Sequence, residues 1–220
     1  MASNSKKTAA RTISRNTGRL TTRSGEENIN RILNAALKKF STHGFRGTRI
    51  DQVAEAAGMS RTRMLYYFPS KKKLYLAILE RTLEQWLEPL RGFDEATDPR
   101  QALTDYISRK LAMSATDPMA SRLFAMEMLQ GAPHTKRILQ GPLTELVREK
   151  SAVIRRWMEA GHLKPMEPYH LIFAIWSTTQ HYADFSVQVH ALTGQSLKDS
   201  EFFEQTQSTL VQILLNGVLR

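Results

Sequence analysis

Residues 44–75, GFRGTRIDQVAEAAGMSRTRMLYYFPSKKKLY, constrain this chain more than any other stretch. They read as two short helices joined by a tight glycine turn. Thr48 is a good N-cap, and Asp51 stands three residues on, at capping-box spacing. Ile50, Val53, Ala54 and Ala57 follow the i, i+3, i+4, i+7 pattern of one apolar helix face. Gly58 can adopt the left-handed conformation that ends a helix, and Ser60 caps the next one. Pro69 stops that second helix, because the residue before a proline avoids helical backbone angles.

At about 100° per residue, the second helix sorts into two arcs. Met64, Leu65 and Phe68 share one, and Thr62, Arg63, Tyr66 and Tyr67 share the other. The first should pack inward. The second suits DNA, since Arg bonds guanine bidentately and Thr and Tyr reach phosphates or thymine methyls. Arg61 lies in the first turn, the end that usually enters the major groove. Thr48 and Arg49, opening the first helix, and Lys71, opening the next one, complete the expected DNA-facing set. A solvated basic hairpin is the plainer alternative. The caps, turn glycine and outward Arg and Tyr agree better with a helix-turn-helix.

Charge divides the chain in the same place. Residues 1–75 carry 16 Lys and Arg against 4 Asp and Glu, and residues 76–220 carry 15 against 17, within a net charge of +10. The whole basic excess therefore lies in the helix-turn-helix and the segment before it, as in a nucleic-acid-binding head joined to a body with another task. Residues 1–25 are rich in Ser, Thr, Lys and Arg and lack acids. They read as a disordered basic arm for phosphate or minor-groove contacts, or as a solvated tail. An acid-poor Arg/Ser arm also has the composition of a transit peptide. There is no cysteine, hence no disulfide framework. No apolar run approaches the roughly 18 residues of a membrane helix. A cytoplasmic protein is expected.

Residues 26–43 form an amphipathic helix that should close a three-helix DNA-binding domain, 26–70. Beyond it the pattern is helical throughout: 71–90, 99–115, 118–130, 136–160 with a break near Gly141 and Pro142, 167–192, and 199–218. No alternating strand pattern and no repeat is found. The fold expected is all-α, with a helix-turn-helix head and a helical-bundle body, 71–220, for ligand binding and dimerisation.

On these residues the chain resembles the TetR family of bacterial transcription regulators. The head motif, the helical body and the length of 220 residues all match. One departure is clear: Leu65 stands where the family commonly has Tyr, so its phosphate contact must be dropped or pass to Tyr66 or Tyr67. RLFAMEMLQGAP (122–133) and HLIFAIWSTTQHYADFSVQV (170–189) further resemble the branch of the family that regulates pyrimidine utilisation. The resemblance implies a homodimer, a palindromic operator on double-stranded DNA, and release by a small effector such as uracil or thymine.

The residues permit that chemistry. A pyrimidine needs an aromatic face and a side chain that both donates and accepts. Trp86, Trp176 and Gln180 qualify and match the branch's ligand positions, and Phe124 and Met128 are further wall candidates. The tryptophans are equally readable as core, and Gln180 as an interface residue. A ligand touching Trp86 could tilt its helix, which starts right after the recognition helix. A stripe of Phe203, Thr206, Gln207, Leu210, Ile213, Leu214 and Gly217, with Ile175, Thr178, Thr179 and Tyr182, is the expected dimer face, or else internal packing. No HExxH, phosphate loop or nucleophile elbow occurs, so no enzyme, metal or cofactor is expected. His181 and Asp184 read as a polar helix face. The alternatives are a regulator for another small ligand, and a constitutive DNA-binding dimer with no inducer.

Overall fold

A computed structural model describes residues 23–220. The basic arm expected over 1–25 lies almost wholly outside the described residues. The chain divides into two compact units, meeting at Ile78 and Leu79.

The first unit is built on α1 (Arg23–Gly47), α2 (Ile50–Ala56) and α3 (Arg61–Tyr67) and includes the start of α4 (Lys71–Arg91). Its core holds Ile32, Ala36, Phe40, Val53, Ala54, Met64 and Phe68. These are the apolar faces legible in the sequence. Gly44 breaks α1 at φ 66°, ψ −179°, close to the expected end of that helix. The unit runs eight residues past the expected boundary at 70 because Tyr75 is drawn into an aromatic cluster. Its ring lies 5.0 Å from both Phe40 and Phe45.

Capping differs in one place. The N-cap of α2 is Arg49, not Thr48, and the Gln52 side chain accepts from the Arg49 N–H at 3.2 Å. Thr48 instead sits one residue earlier, buried, and donates its hydroxyl to the Gly44 carbonyl at 2.9 Å. Carbonyls freed at the α1 break need donors, and Thr48 supplies one. At α3 the expectation holds: Ser60 Oγ accepts from the Arg63 N–H at 3.2 Å.

The second unit contains the rest of α4 and α5 (Pro99–Thr116), α6 (Pro118–Leu129), α7 (Thr144–Glu159), α8 (Pro168–Asp184), α9 (Ser186–Thr193) and α10 (Ser200–Val218). Asp98 and Asp117 cap α5 and α6, each followed by a proline at the first helical position. α5 packs against both α8 and α10, and α6 against α8. Tyr106, Ile107, Leu111, Ile154, Ile172 and Ile175 lie in their shared core. A single turn, Lys136–Ile138, and a wide turn, Leu139–Leu143, precede α7, with Gly141 out of helical geometry (φ −108°, ψ −105°). The expected helix over 167–192 is two helices. Phe185 takes φ −109°, ψ 31° and separates α8 from α9. Neither glycine nor proline marks that break, so periodicity alone runs through it.

Part of the expected dimer stripe is internal. Ile175, Thr179, Thr206 and Leu210 are buried within the one chain. Ile213 remains exposed, along with Phe173 on α8, Phe185 at the break, and Val187 and Leu192 on α9. Among the described residues no helix is long and apolar enough to cross a membrane.

Candidate functional sites

The surface of α3 is fixed by the local fold. Met64 and Phe68 turn inward, and this leaves Arg61, Thr62, Arg63 and Tyr66 exposed, Tyr66 at 63%. Arg49 is exposed as well. Three members of the expected DNA-facing set also make contacts within the unit. Thr48 is 1% exposed and its hydroxyl points into the unit. The Tyr67 hydroxyl receives the Asn28 amide at 3.1 Å, which ties α3 to α1. The Lys71 ammonium donates to the Thr48 carbonyl at 3.0 Å and lies 4.7 Å over the Phe45 ring. Arg61 is held by Asp51 at 3.1 Å, an exposed pair that a phosphate or base can replace at small cost. The outward arc is thus Arg61, Thr62, Arg63 and Tyr66, whereas Thr48 and Lys71 also brace the turn beneath it.

In the second unit, Leu83, Trp86, Leu87, Lys110, Phe124, Leu143, Trp176 and Gln180 enclose a cavity of about 50 Å³. Helices α4, α5, α6 and α8 each supply part of the wall. Four of the five expected ligand residues meet there; Met128 is on α6 but not in the lining. Trp86 and Phe124 pack edge to face at 5.2 Å. Trp176 donates its indole N–H to the Tyr106 hydroxyl at 2.6 Å, which fixes the indole plane. Burial raises the Tyr106 hydroxyl pKa further, so Tyr106 stays a neutral phenol.

Lys110 is the charged wall residue that the sequence reading missed, beside the apolar Leu83, Leu87 and Leu143. Its ammonium stands 4.5 Å over the Trp86 ring. Burial lowers its pKa to about 7, against the pull of Asp184. The Asp184 pKa is raised by burial, opposed by the hydrogen bond from Ser121 and by the charge of Lys110. Of the two expected polar-face residues, His181 is exposed and stacks on Phe185, while Asp184 is half-buried beside Ser121 and Lys110 with His181 also near it. No spacing rule flags Lys110, because a lysine four residues after a tyrosine on a helix is ordinarily solvated.

Leu143 reaches the cavity from the wide turn. Buried Glu127 supports the loop that leads there: its carboxylate accepts the backbone N–H of His134 at 2.6 Å and of Thr135 at 3.1 Å. Among the described residues there is no cluster of His, Asp or Glu able to hold a metal.

Comparison with known proteins gives a consistent result. Residues 32–78 match the model described as bacterial regulatory proteins, tetR family, and residues 79–220 match the YcdC-like protein C-terminal region. The two matches meet where the structure divides. The chain is 52% identical over 187 residues to the HTH-type transcriptional regulator RutR of Escherichia coli K12, covering 85% of this chain and 88% of that one. It is 33% identical over 135 residues to the transcriptional repressor NicS of Pseudomonas putida, covering 60% and 62%. In fold it resembles the fatty acid degradation regulator FadR from Bacillus halodurans, with a TM-score of 0.63 at 19% identity, covering 85% and 94%. These relatives are regulators rather than enzymes.

Proposed function

The chain belongs to the TetR family of bacterial transcription regulators, and from that premise we propose that it is a dimeric repressor released from a palindromic operator by a pyrimidine, uracil or thymine. The observation that carries this reading is the cavity. Trp86, Trp176 and Gln180, which suit pyrimidine chemistry and match the ligand positions of the pyrimidine-utilisation branch, line one cavity together with the wall candidate Phe124.

Its size and chemistry fit a small flat ring. About 50 Å³ is far below the several hundred usual for ligand pockets. A single ring demands far less movement of the walls than a long acyl chain. Aromatic walls from Trp86 and Trp176 supply the faces, and the Gln180 amide supplies a donor and an acceptor for one edge.

Coupling to DNA follows ordinary linkage. The ligand must favour a conformation whose heads fit the operator poorly, and DNA must then weaken ligand binding by the same factor. Trp86 is the proposed lever, because α4 begins in the head unit and continues into the body unit that holds the cavity. Arg61, Thr62, Arg63 and Tyr66 are proposed to meet the DNA, with Arg49 and Lys71 on phosphates.

Titration of the full chain with uracil and thymine tests the reading. Tryptophan fluorescence should shift saturably, the melting temperature should rise, and Gln180→Ala should lose the response. In a DNA-binding assay, uracil should release a palindromic operator fragment, and Trp86→Ala should weaken both uracil binding and release; both left intact would rule the lever out. Absence of any pyrimidine response in well-folded protein rules the pyrimidine effector out, and leaves the family assignment untouched.

A further inference from the structure

Lys110 has no role in the reading above, although it is the charged residue in the cavity wall. It is 2% exposed on α5, among Leu83, Leu87, Leu143 and two indoles. A buried ammonium requires partners. The Trp86 π face is a weak one. Asp184 on α8 attracts it, but that carboxylate already accepts from Ser121 and also faces Arg122 on α6 and His181 on its own helix. Tyr106, one turn earlier on α5, has its hydroxyl taken up with Trp176.

The Gln180 amide does not define a ligand by itself. Turned over, it exchanges donor for acceptor, so it accepts a lactam edge and an aminopyrimidine edge alike. Lysine differs: as an ammonium it has three donors and no acceptor.

We propose that Lys110 is the specificity-determining donor of the cavity: it takes a ring oxygen that Gln180 does not read, and thereby restricts the effector to planar rings with a carbonyl on that side. A ring placing C–H there leaves the ammonium buried without its hydrogen bond, and such a mismatch is rejected strongly. The proposal rests on the pyrimidine reading and goes beyond it by assigning the selecting group. It also makes binding draw in a proton. With a pKa near 7, free Lys110 is mostly neutral at pH 8; a carbonyl oxygen beside it favours the charged form.

Calorimetry on the full chain tests this with three probes: uracil, pyrimidin-2-one and pyrimidin-4-one, the last two each lacking one carbonyl. Wild-type protein should bind one of the two mono-oxo rings about 10- to 100-fold more weakly than uracil, the range of a hydrogen bond to a charged group. Lys110→Met, close in volume, should bind uracil about as weakly as that ring. At pH 8, in buffers of different ionisation enthalpy, wild-type binding should take up a proton; the Met variant should take up none. The wild-type proton measurement does not depend on how the variant folds. Uracil bound equally well by Lys110→Met, or both mono-oxo rings bound by wild type as tightly as uracil, overturns the proposal and leaves the pyrimidine sensor standing. No binding of uracil to folded wild type overturns both.

Discussion

Lys110 shows how one buried side chain trades stability for chemistry. Its ordinary pKa of 10.5 is lowered to about 7 in the folded chain. Between these values the unfolded chain holds a proton that the folded chain lacks, so this residue makes stability rise with pH from 7 to about 10. Below pH 7 both states are charged and the cost of burial is borne in full. Lys110→Met should therefore stabilise the unliganded protein by a few kcal/mol at pH 6, by the general linkage of pKa and stability. The gain should shrink steadily toward pH 10. Thermal melts of both proteins across that range check it; a gain that grew with pH would reverse the sign argued here.

At the scale of elements, the turn between α2 and α3 sets how the recognition helix is presented. Gly58 sits at φ +65°, and an added Cβ would lie 3.0 Å from Arg31 Nη2. That guanidinium donates to the Ala57 carbonyl at 2.7 Å, so α1 holds the turn from behind. Gly58→Ala meets both the left-handed backbone penalty and the crowding of this bond. It should cost about 1–2 kcal/mol in urea denaturation of the full chain. Ser60→Ala removes the α3 cap and should cost about 1 kcal/mol. Both should weaken operator binding more than ligand binding, measured side by side, since the cavity lies in the other unit.

For the whole molecule, charge and symmetry decide behaviour. The basic excess of residues 1–75 predicts operator affinity that falls steeply with salt. Removing residues 1–22 should flatten the slope of log affinity against log salt, because each lost phosphate contact removes about 0.9 from it. The proposed two-fold dimer needs an exposed apolar face, and Ile213 is 63% exposed on α10. Ile213→Arg should shift sedimentation toward monomer and lower operator affinity, with the melting of the isolated subunit little changed.

Local rules made the head legible. Caps, a turn glycine, a proline stop and 3.6-residue periodicity act over fewer than ten residues, and each agreed with the others from Gly44 to Pro69. The same rules found most helices of the body and, with the family resemblance, brought Trp86, Phe124, Trp176 and Gln180 forward. Even there they misplaced the α2 cap by one residue, since Thr48 answers to a carbonyl on α1 rather than to its own helix. Three things were decided only by tertiary packing. Which apolar stripe residues are internal depends on what faces them, so Thr206 and Leu210 went to the core while Ile213 stayed outside. The break at Phe185 carries no breaker residue, and only the surroundings of Asp184 and Phe185 separate α8 from α9. Lys110 is charged in any sequence count; it became a cavity residue because four helices closed around it and removed the water that would have kept it ordinary.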